Sequence, residues 1–476
     1  MKAICSFILF ILATTVSWGQ STGLSGGGDL NPDLKAPAEA QSKWQDMRIG
    51  LSVHWGPSSL GGKEIGWSRG DIIPVEEYDT FYKKFNPSKF DADQWCRLMK
   101  RWGIRYVSPT AKHHDGFSLW FSDYSPYTME HAALPIDIMA ELKKACDKHD
   151  IVLGAYYSNI DWFHPDWAPY GHGGPGKLFE KQNDSPNLER YFKYMENQVS
   201  ELITKYDLAF IQFDGEWDPT YTHEIGSRMY RRFHEVKPDI LLSTRIDIGR
   251  RMAGANNHIE LDGEKYAGDF QDRERLVRRQ NNITKWCDHP WQAWVTIDKR
   301  QWSYNPNPQL MDAHELIKDL VNVVGCNGNY MINLGPSPEG DFAPSQIALM
   351  DSLGIWLHKH AETIYGTRGG PYYPFEGGVS TRKGKKAWIF ITDNRLETIT
   401  LPALSQKIRS AKDFETGKKI KMNLKDGWTT FTLPKASKTN PIRVIQLTFR
   451  EKVQMQPDKP ETLQKQQENE KAEGYY

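Results

Sequence analysis

Five places in the 476-residue chain set histidine, carboxylate, arginine and aromatic side chains directly after a short apolar run. They are His54-Trp55-Gly56, Lys112-His113-His114-Asp115-Gly116, Tyr156-Tyr157-Ser158, Asp214-Gly215-Glu216-Trp217 and Arg245. Each alone has an ordinary structural use: an Asp-Gly after a strand is a turn, and a Trp fills a core. Zinc would require three or four converging ligands. Neighbouring histidines on a strand point to opposite faces, which argues against chelation by His113 and His114 as a pair. Taken together, the five segments supply flat Trp and Tyr faces that stack on the C–H faces of a sugar ring. His and Arg add hydrogen bonds to hydroxyls. That is the mixture a carbohydrate pocket requires.

These residues converge only if their runs are neighbouring strands of one sheet. Apolar runs at Ile49 to Trp55, Arg105 to Thr110, Ile151 to Tyr157, Leu208 to Phe213, Ile240 to Thr244, Ala293 to Thr296 and Tyr330 to Leu334 read as strands. Between them lie amphipathic stretches at about 91–102, 136–149, 224–236, 312–324 and 344–360. Before the fourth run, Leu188, Tyr191, Phe192, Met195, Val199, Leu202, Ile203 and Tyr206 recur at helical spacing. Strand and helix in alternation imply a parallel sheet, and the length suits a (β/α)8 barrel with long insertions. An eighth strand is expected near His258 to Leu261. In such a barrel the residues following each strand line one mouth.

After Tyr365-Gly366-Thr367 the texture changes. Short β runs at Lys386 to Thr392, Thr398 to Leu401, Thr429 to Leu433 and Ile442 to Phe449, separated by Gly, Asp, Lys and Pro turns, predict a small all-β sandwich. The expected organisation is a signal peptide over 1–19, a flexible lead-in over 20–43 and the barrel over 44–366. A β-sandwich over 367–450 and a disordered Gln/Glu/Lys-rich tail over 451–476 complete it.

Composition narrows the partners. Hydrophobic residues make up 39% and charged residues 25% of the chain, so it can bury a sizeable core. Lys+Arg 60 balances Asp+Glu 60, which leaves no global field to hold a nucleic acid. The apolar run Ala3 to Ala13, followed by small residues at Ser17 and Gly19, predicts export to the periplasm or medium with cleavage near Gly19/Gln20. The run is short of the roughly 20 residues a membrane-spanning helix needs, so no membrane anchor is expected. Cys96, Cys146, Cys287 and Cys326 remain after cleavage, and spacing leaves their pairing open. Oligomeric state is also open.

The segments KHHDGF (Lys112 to Phe117), DWFHPD (Asp161 to Asp166), FDGEW (Phe213 to Trp217), Asn333-Leu334-Gly335-Pro336 with Pro338-Glu339-Gly340, and ETIYGT (Glu362 to Thr367) are similar in order and spacing to the α-L-fucosidases of glycoside hydrolase family 29. The resemblance covers about residues 45–370. It implies an exo-acting, retaining double displacement on terminal α-L-fucosyl residues of a glycan, with no cofactor and no metal. In that chemistry two carboxyl groups lie about 5 to 5.5 Å apart.

By residue-by-residue match, Asp214 is the nucleophile. Glu274, in the loop Gly268 to Glu274 that lacks the family's Thr-Pro, is the acid/base, with Glu260 and Glu264 as rivals. His54, Trp67, His113, His114, Tyr157 and Arg245 match residues that hold the sugar. Two positions depart from the pattern. Gly66 stands where the family often has Glu, with Glu64 two residues earlier, and Trp291-Gln292-Ala293-Trp294 replaces W-E-T-C. Both departures point to drifted sugar or aglycone specificity, so a related sugar such as an α-L-galactoside, or a non-catalytic carbohydrate-binding protein, stays an alternative.

Overall fold

The computed structural model describes residues 35–167, 186–249, 266–275, 290–436 and 442–456. The signal-peptide region, the stretch near His258 to Leu261, Glu260, Glu264, Cys287 and the chain beyond 456 lie outside the described residues. Helix α1 (Ala38–Met47) leads into strand β1 (Ile49–Val53), and a short α2 (Val75–Tyr78) lies in the insertion before α3 (Ala92–Trp102). Then follow β2 (Tyr106–Lys112), α4 (Ile138–His149), β3 (Val152–Leu153), β4 (Ala155–Ser158), α5 (Leu188–Tyr206), β5 (Phe210–Asp214), α6 (His223–Val236) and β6 (Leu241–Leu242). The barrel ends with β7 (Gln271–Glu274), β8 (Trp291–Thr296), α7 (Ala313–Gly325), β9 (Asn329–Leu334) and α8 (Pro344–Ile364).

The expected flexible lead-in through residue 43 is corrected by α1, which starts at Ala38. Trp44 anchors that helix, its ring stacked 4.7 Å from Phe270 inside the sheet. The helix starts themselves are written locally. Asp91, Asp137, Asn187, Thr222 and Asp312 each accept a backbone N–H from the first turn of α3 to α7 respectively, a cap that contributes about 1 kcal/mol to each helix.

The strands pair in parallel in the order β6-β5-β4-β2-β1-β9-β8-β7, with β3 also on β2. The two ends meet: Thr244 N–H donates to Phe270 O at 2.9 Å and Asp269 N–H to Leu242 O at 2.7 Å. The sheet is thus a closed (β/α)8-type barrel. The remaining strand is Gln271–Glu274, whose composition carries no apolar signal because Asp272 and Glu274 face a polar interior.

Alternation sorts each strand into an outer and an inner set. Ile49, Leu51 and Val53 join the large core shared with the helices. Tyr106, Tyr156, Phe210, Leu241, Phe270, Trp294 and Met331 form a separate cluster within the barrel. Up β5, Phe210 lies in that apolar layer, Gln212 above it, and Asp214 at the mouth. Up β7, Phe270, Asp272 and Glu274 repeat the progression.

The C-terminal unit is all-β. Its strands are β10 (Arg368–Gly369), β11 (Gly378–Lys383), β12 (Lys386–Ile391), β13 (Thr398–Pro402), β14 (Ser410–Asp413), β15 (Met422–Lys425), β16 (Trp428–Thr432) and β17 (Arg443–Thr448). One sheet runs in the order β10-β11-β12-β17-β14, with β12 at its centre, and a second in the order β13-β16-β15. In β12, Ala387, Ile389 and Ile391 face the sandwich core, whereas Trp388 and Phe390 pack with the barrel's helices. Both faces of that strand are buried, so it reads as a continuous apolar run. Packing continues past the expected boundary at 450, with Val453 buried in the sandwich core.

Candidate active site

Strands β5 and β7 deliver two carboxylates to the barrel mouth, and the turn Thr244–Ile246 after β6 delivers a guanidinium between them. Arg245 Nε donates to Glu216 Oε2 at 3.0 Å and Nη2 donates to Asp214 Oδ1. Its Nη1 lies 3.6 Å from Glu274 Oε2. Burial opposes the charge of Arg245, yet Asp214, Glu216 and Glu274 hold its proton well above the usual range. Asp214 Oδ1 also accepts the Gly215 N–H at 2.7 Å, and Oδ2 accepts the Tyr156 hydroxyl at 2.9 Å. Both oxygens are therefore aimed before any substrate arrives.

Three histidines surround this cluster, and His54 and His114 are held in fixed tautomers. Asn333 spends its amide hydrogens on Trp302 O (2.6 Å) and Thr296 Oγ1 (3.2 Å). Its Oδ1, 2.6 Å from His54 Nδ1, is then the acceptor, so His54 carries its proton on Nδ1 and presents a bare Nε2. Ser158 donates its hydroxyl to Ile160 O at 2.7 Å and so accepts from His114 Nδ1 at 2.6 Å. His114 Nε2 lies 3.8 Å from Asp214 Oδ2. Burial lowers both imidazoles to about 4, against the pull of Asp214 in each case, so both are neutral at physiological pH.

His113 stacks on the Tyr156 ring with centroids 5.3 Å apart, and among the described residues its buried Nδ1 has no hydrogen-bond partner. The expectation that His113 and His114 diverge on a strand is not met. Strand β2 ends at Lys112, and both histidines follow in a turn, with rings 4.3 Å apart and both lining the pocket.

Beneath that turn, Lys112 is buried with its Nζ 3.3 Å from Asp161 Oδ2 and 4.4 Å from the Tyr157 ring centre. Asp161 Oδ1 accepts the Phe163 and His164 N–H groups, both at 3.0 Å, and Trp162 N–H donates to His114 O at 2.7 Å. The KHHDGF and DWFHPD segments are therefore one interlocked support. Gly116 makes the contact feasible, because a Cβ there would lie 2.2 Å from Asp161 Oδ1 and its φ is +81°.

Aromatic rings wall the cavity, which encloses about 110 Å3. Trp67 stacks beside Trp217 at 5.8 Å on one side. Trp294 and Trp302, 4.5 Å apart, lie on the other, each 5.4 Å from His54. Glu64 also lines it. The Glu64 carboxylate accepts the Trp302 N–H at 2.7 Å and the Ser303 N–H at 3.2 Å. Burial raises its pKa against these bonds. Gly66 is where the backbone passes over His113, since a Cβ there would sit 2.8 Å from Nδ1.

Seven of the eight expected residues thus share one pocket: His54, Trp67, His113, His114, Asp214, Arg245 and Glu274. The eighth, Tyr157, does not, and is corrected. It faces outward and its hydroxyl donates to Gln198 Oε1 at 2.8 Å on α5. Its neighbour Tyr156 is the residue that faces inward, as alternation along a strand requires. Arg245, expected to hold a sugar hydroxyl, has Nε and Nη2 taken by carboxylates. Glu64, Tyr156, Glu216, Trp217, Trp294 and Trp302 complete the site; the strand alternation marks Tyr156, while Trp302 belongs to a loop with no local signal. Among the described residues, no group of three or more His, Cys, Asp or Glu side chains is arranged to hold a metal ion, and no helix is long and apolar enough to cross a membrane.

Residues 31–362 match the family model described as Alpha-L-fucosidase. The tissue alpha-L-fucosidase of Mus musculus is 25% identical over 350 residues, covering 69% of this chain and 72% of the mouse protein. The plasma alpha-L-fucosidase of Homo sapiens is 27% identical over 348 residues, covering 68% of this chain and 69% of the human one. Among solved structures, an alpha-L-fucosidase GH29 from Bacteroides thetaiotaomicron superposes with TM-score 0.77 at 26% identity, covering 91% of this chain and 98% of that one. A further structure from that organism, with TM-score 0.77 and 26% identity over 90% of this chain and 98% of that one, is of a trapped covalent intermediate with 2-fluoro-fucosyl fluoride.

Proposed function

Since the chain belongs to the alpha-L-fucosidase family of glycoside hydrolases, we propose that it releases terminal α-L-fucosyl residues from glycans with retention, Asp214 serving as nucleophile and Glu274 as acid/base. The observation that carries this reading is that Asp214 and Glu274 flank the two Nη atoms of one guanidinium at the barrel mouth. An Asp214 oxygen attacks the anomeric carbon and forms an ester as the glycosidic C–O bond breaks. The proton held by Glu274 passes to the leaving oxygen. Water then attacks the same carbon, giving its proton back to Glu274 and freeing the Asp214 carboxylate. The covalent intermediate trapped in the Bacteroides relative supports this route.

Neutral His54 and His114 offer Nε2 acceptors to sugar hydroxyls, and Glu64, held by backbone N–H groups, offers a further one. The Trp294 and Trp302 faces suit the apolar side of the ring. A cavity of about 110 Å3 holds one sugar ring rather than a chain, which supports exo action. We also propose export, on the apolar run Ala3 to Ala13 and the small residues after it; sequencing the N-terminus of the mature protein tests it.

The activity is tested by hydrolysis of an aryl α-L-fucoside beside its α-L-galactoside analogue, with proton NMR of the first sugar released. The α-anomer of fucose is expected. Preference for the galactoside overturns the substrate assignment, and initial release of the β-anomer overturns retention.

A further inference from the structure

Glu216 is buried, and its carboxylate accepts the Arg245 Nε–H at 3.0 Å; its role follows from what it does to Arg245. Arg245 meets three carboxylates with three different nitrogens: Nε to Glu216 at 3.0 Å, Nη2 to Asp214, and Nη1 toward Glu274 at 3.6 Å. The side chains of Arg245 and Glu216 are essentially sealed from solvent, at 2% and 0% exposure, whereas that of Glu274 is 28% exposed. A guanidinium is planar, so fixing the Nε edge fixes where both Nη atoms point.

We propose that Glu216 is a positioning residue that locks Arg245 as the shared counter-charge of Asp214 and Glu274 through both halves of the reaction. This inference rests on the assignment of Glu274 as acid/base. The double displacement starts with Asp214 ionised and Glu274 carrying the proton it donates; together with the Arg245–Glu216 ion pair, the cluster then sums to one negative charge. In the glycosyl-enzyme Asp214 is a neutral ester, and Glu274 has lost its proton to the leaving group. Glu216 and Arg245 are unchanged, so the net charge is again one negative. The guanidinium, already between the two carboxyls, transfers its pairing from Nη2 to Nη1 with no charge entering or leaving a buried site. With Arg245 held by Glu216, that transfer requires no side-chain movement, which is the condition for electrostatic stabilisation without reorganisation.

Among the described residues, the other cations near the cluster are engaged elsewhere, Lys112 with Asp161 at 3.3 Å and Arg275 over the Trp302 ring at 5.2 Å, and the remaining groups supply no positive charge. His54 and His114 are held neutral by burial, with values of about 4. Tyr156 is held protonated far above its usual range by burial and by Asp214. Asp272, one layer down on β7, is pushed by burial to about 7 and would add negative charge, not remove it.

The test is the pH profile of kcat/KM for the full chain and its Glu216→Gln and Glu216→Asp variants, with folding checked by circular dichroism. Removing the Glu216 charge favours ionisation of its neighbours, so in Glu216→Gln both limbs are expected to move to lower pH by about half to one unit. Glu216→Asp keeps the charge but draws the anchor back from Nε. Its limbs should stay with the wild type while kcat falls about tenfold or more at nearly unchanged KM. Limbs that do not move in Glu216→Gln, with only a lower plateau, overturn the proposal. If Glu216→Gln does not fold, wild-type kcat in Glu216→Asp overturns it. Should Glu274 not be the acid/base, the acidic limb that reports Asp214 would still move in Glu216→Gln while the basic limb stayed, which separates the two failures.

Discussion

The hydroxyls of Tyr156 and Tyr157 leave the same strand in opposite directions, one donating to Asp214 Oδ2 at 2.9 Å and the other to Gln198 Oε1 at 2.8 Å. The first bond ends on the proposed nucleophile and the second on the helix that braces the strand. Tyr156→Phe should therefore lower kcat about 10- to 100-fold, as loss of a hydrogen bond to a charged group implies, with little change in melting temperature. Tyr157→Phe should do the reverse, costing about 1 kcal/mol of stability and leaving kcat within a few-fold of the wild type. Steady-state kinetics and thermal melts on the pair decide it; equal kinetic damage from both would contradict the facing directions.

Asp214→Asn keeps the shape of the side chain and an acceptor for the Gly215 N–H, but lacks the charge that attacks carbon. Turnover of an aryl fucoside should fall by at least about 1,000-fold in a protein that melts as the wild type does. Near-normal turnover in the folded variant would remove Asp214 from the nucleophile's place.

Glu274→Ala separates protonation of the leaving group from attack. An acidic nitrophenol departs without help, whereas a sugar alkoxide does not. The variant should retain far more glycosylation rate on a nitrophenyl fucoside than on a fucosyl disaccharide, and azide should restore the second step by yielding an α-fucosyl azide. Glu260→Ala and Glu264→Ala belong in the same assay. Either one showing both signatures, with Glu274→Ala showing neither, would transfer the role.

Asp272 provides a pH test of the barrel interior. Burial raises its carboxyl from 3.8 to about 7, so the folded state holds a proton that the unfolded chain releases. The associated stability is fully present below about pH 4 and is lost as pH rises through 7, amounting to a few kcal/mol, of order 4. Asp272→Asn has no such proton to lose. Relative to that variant, the wild type should become less stable between about pH 4 and 7 in calorimetric melts; parallel curves would mean that Asp272 does not titrate in this window.

Gly116 tests the interlock of the two loops. With φ +81° and a Cβ that would lie 2.2 Å from Asp161 Oδ1, Gly116→Ala must displace the carboxylate that pairs with Lys112. A loss of about 2–4 kcal/mol is expected, together with a fall in kcat because His113 and His114 sit on the same turn. An alanine variant with wild-type melting and kinetics would show that the loop relaxes freely.

Much of this protein is written locally. Helical spacing from Leu188 to Tyr206, capping residues such as Asp91 and Asp137, and apolar runs such as Leu208 to Phe213 depend on neighbours a few residues away, and they specify the barrel's alternation and the strand ends where chemistry gathers. Of the seven pocket residues legible in the sequence, His54, His113, His114, Asp214 and Arg245 follow from that rule, whereas Trp67 and Glu274 come only from the family resemblance. What lies beyond it depends on contacts distant in the chain. Strand β7 is polar because its inner face looks into a site built by β5 and the turn after β6, so no run of branched residues marks it. Tyr156 rather than Tyr157 faces the barrel interior and Asp214 because a shift of one residue along a strand reverses its side. Trp302 and Glu64, 238 positions apart, meet through a hydrogen bond that only the closed barrel brings about. The division of Arg245 among Glu216, Asp214 and Glu274 is of the same kind: the residue types are plain in the chain, but which nitrogen meets which carboxylate is decided by three strands converging on one buried, low-dielectric point.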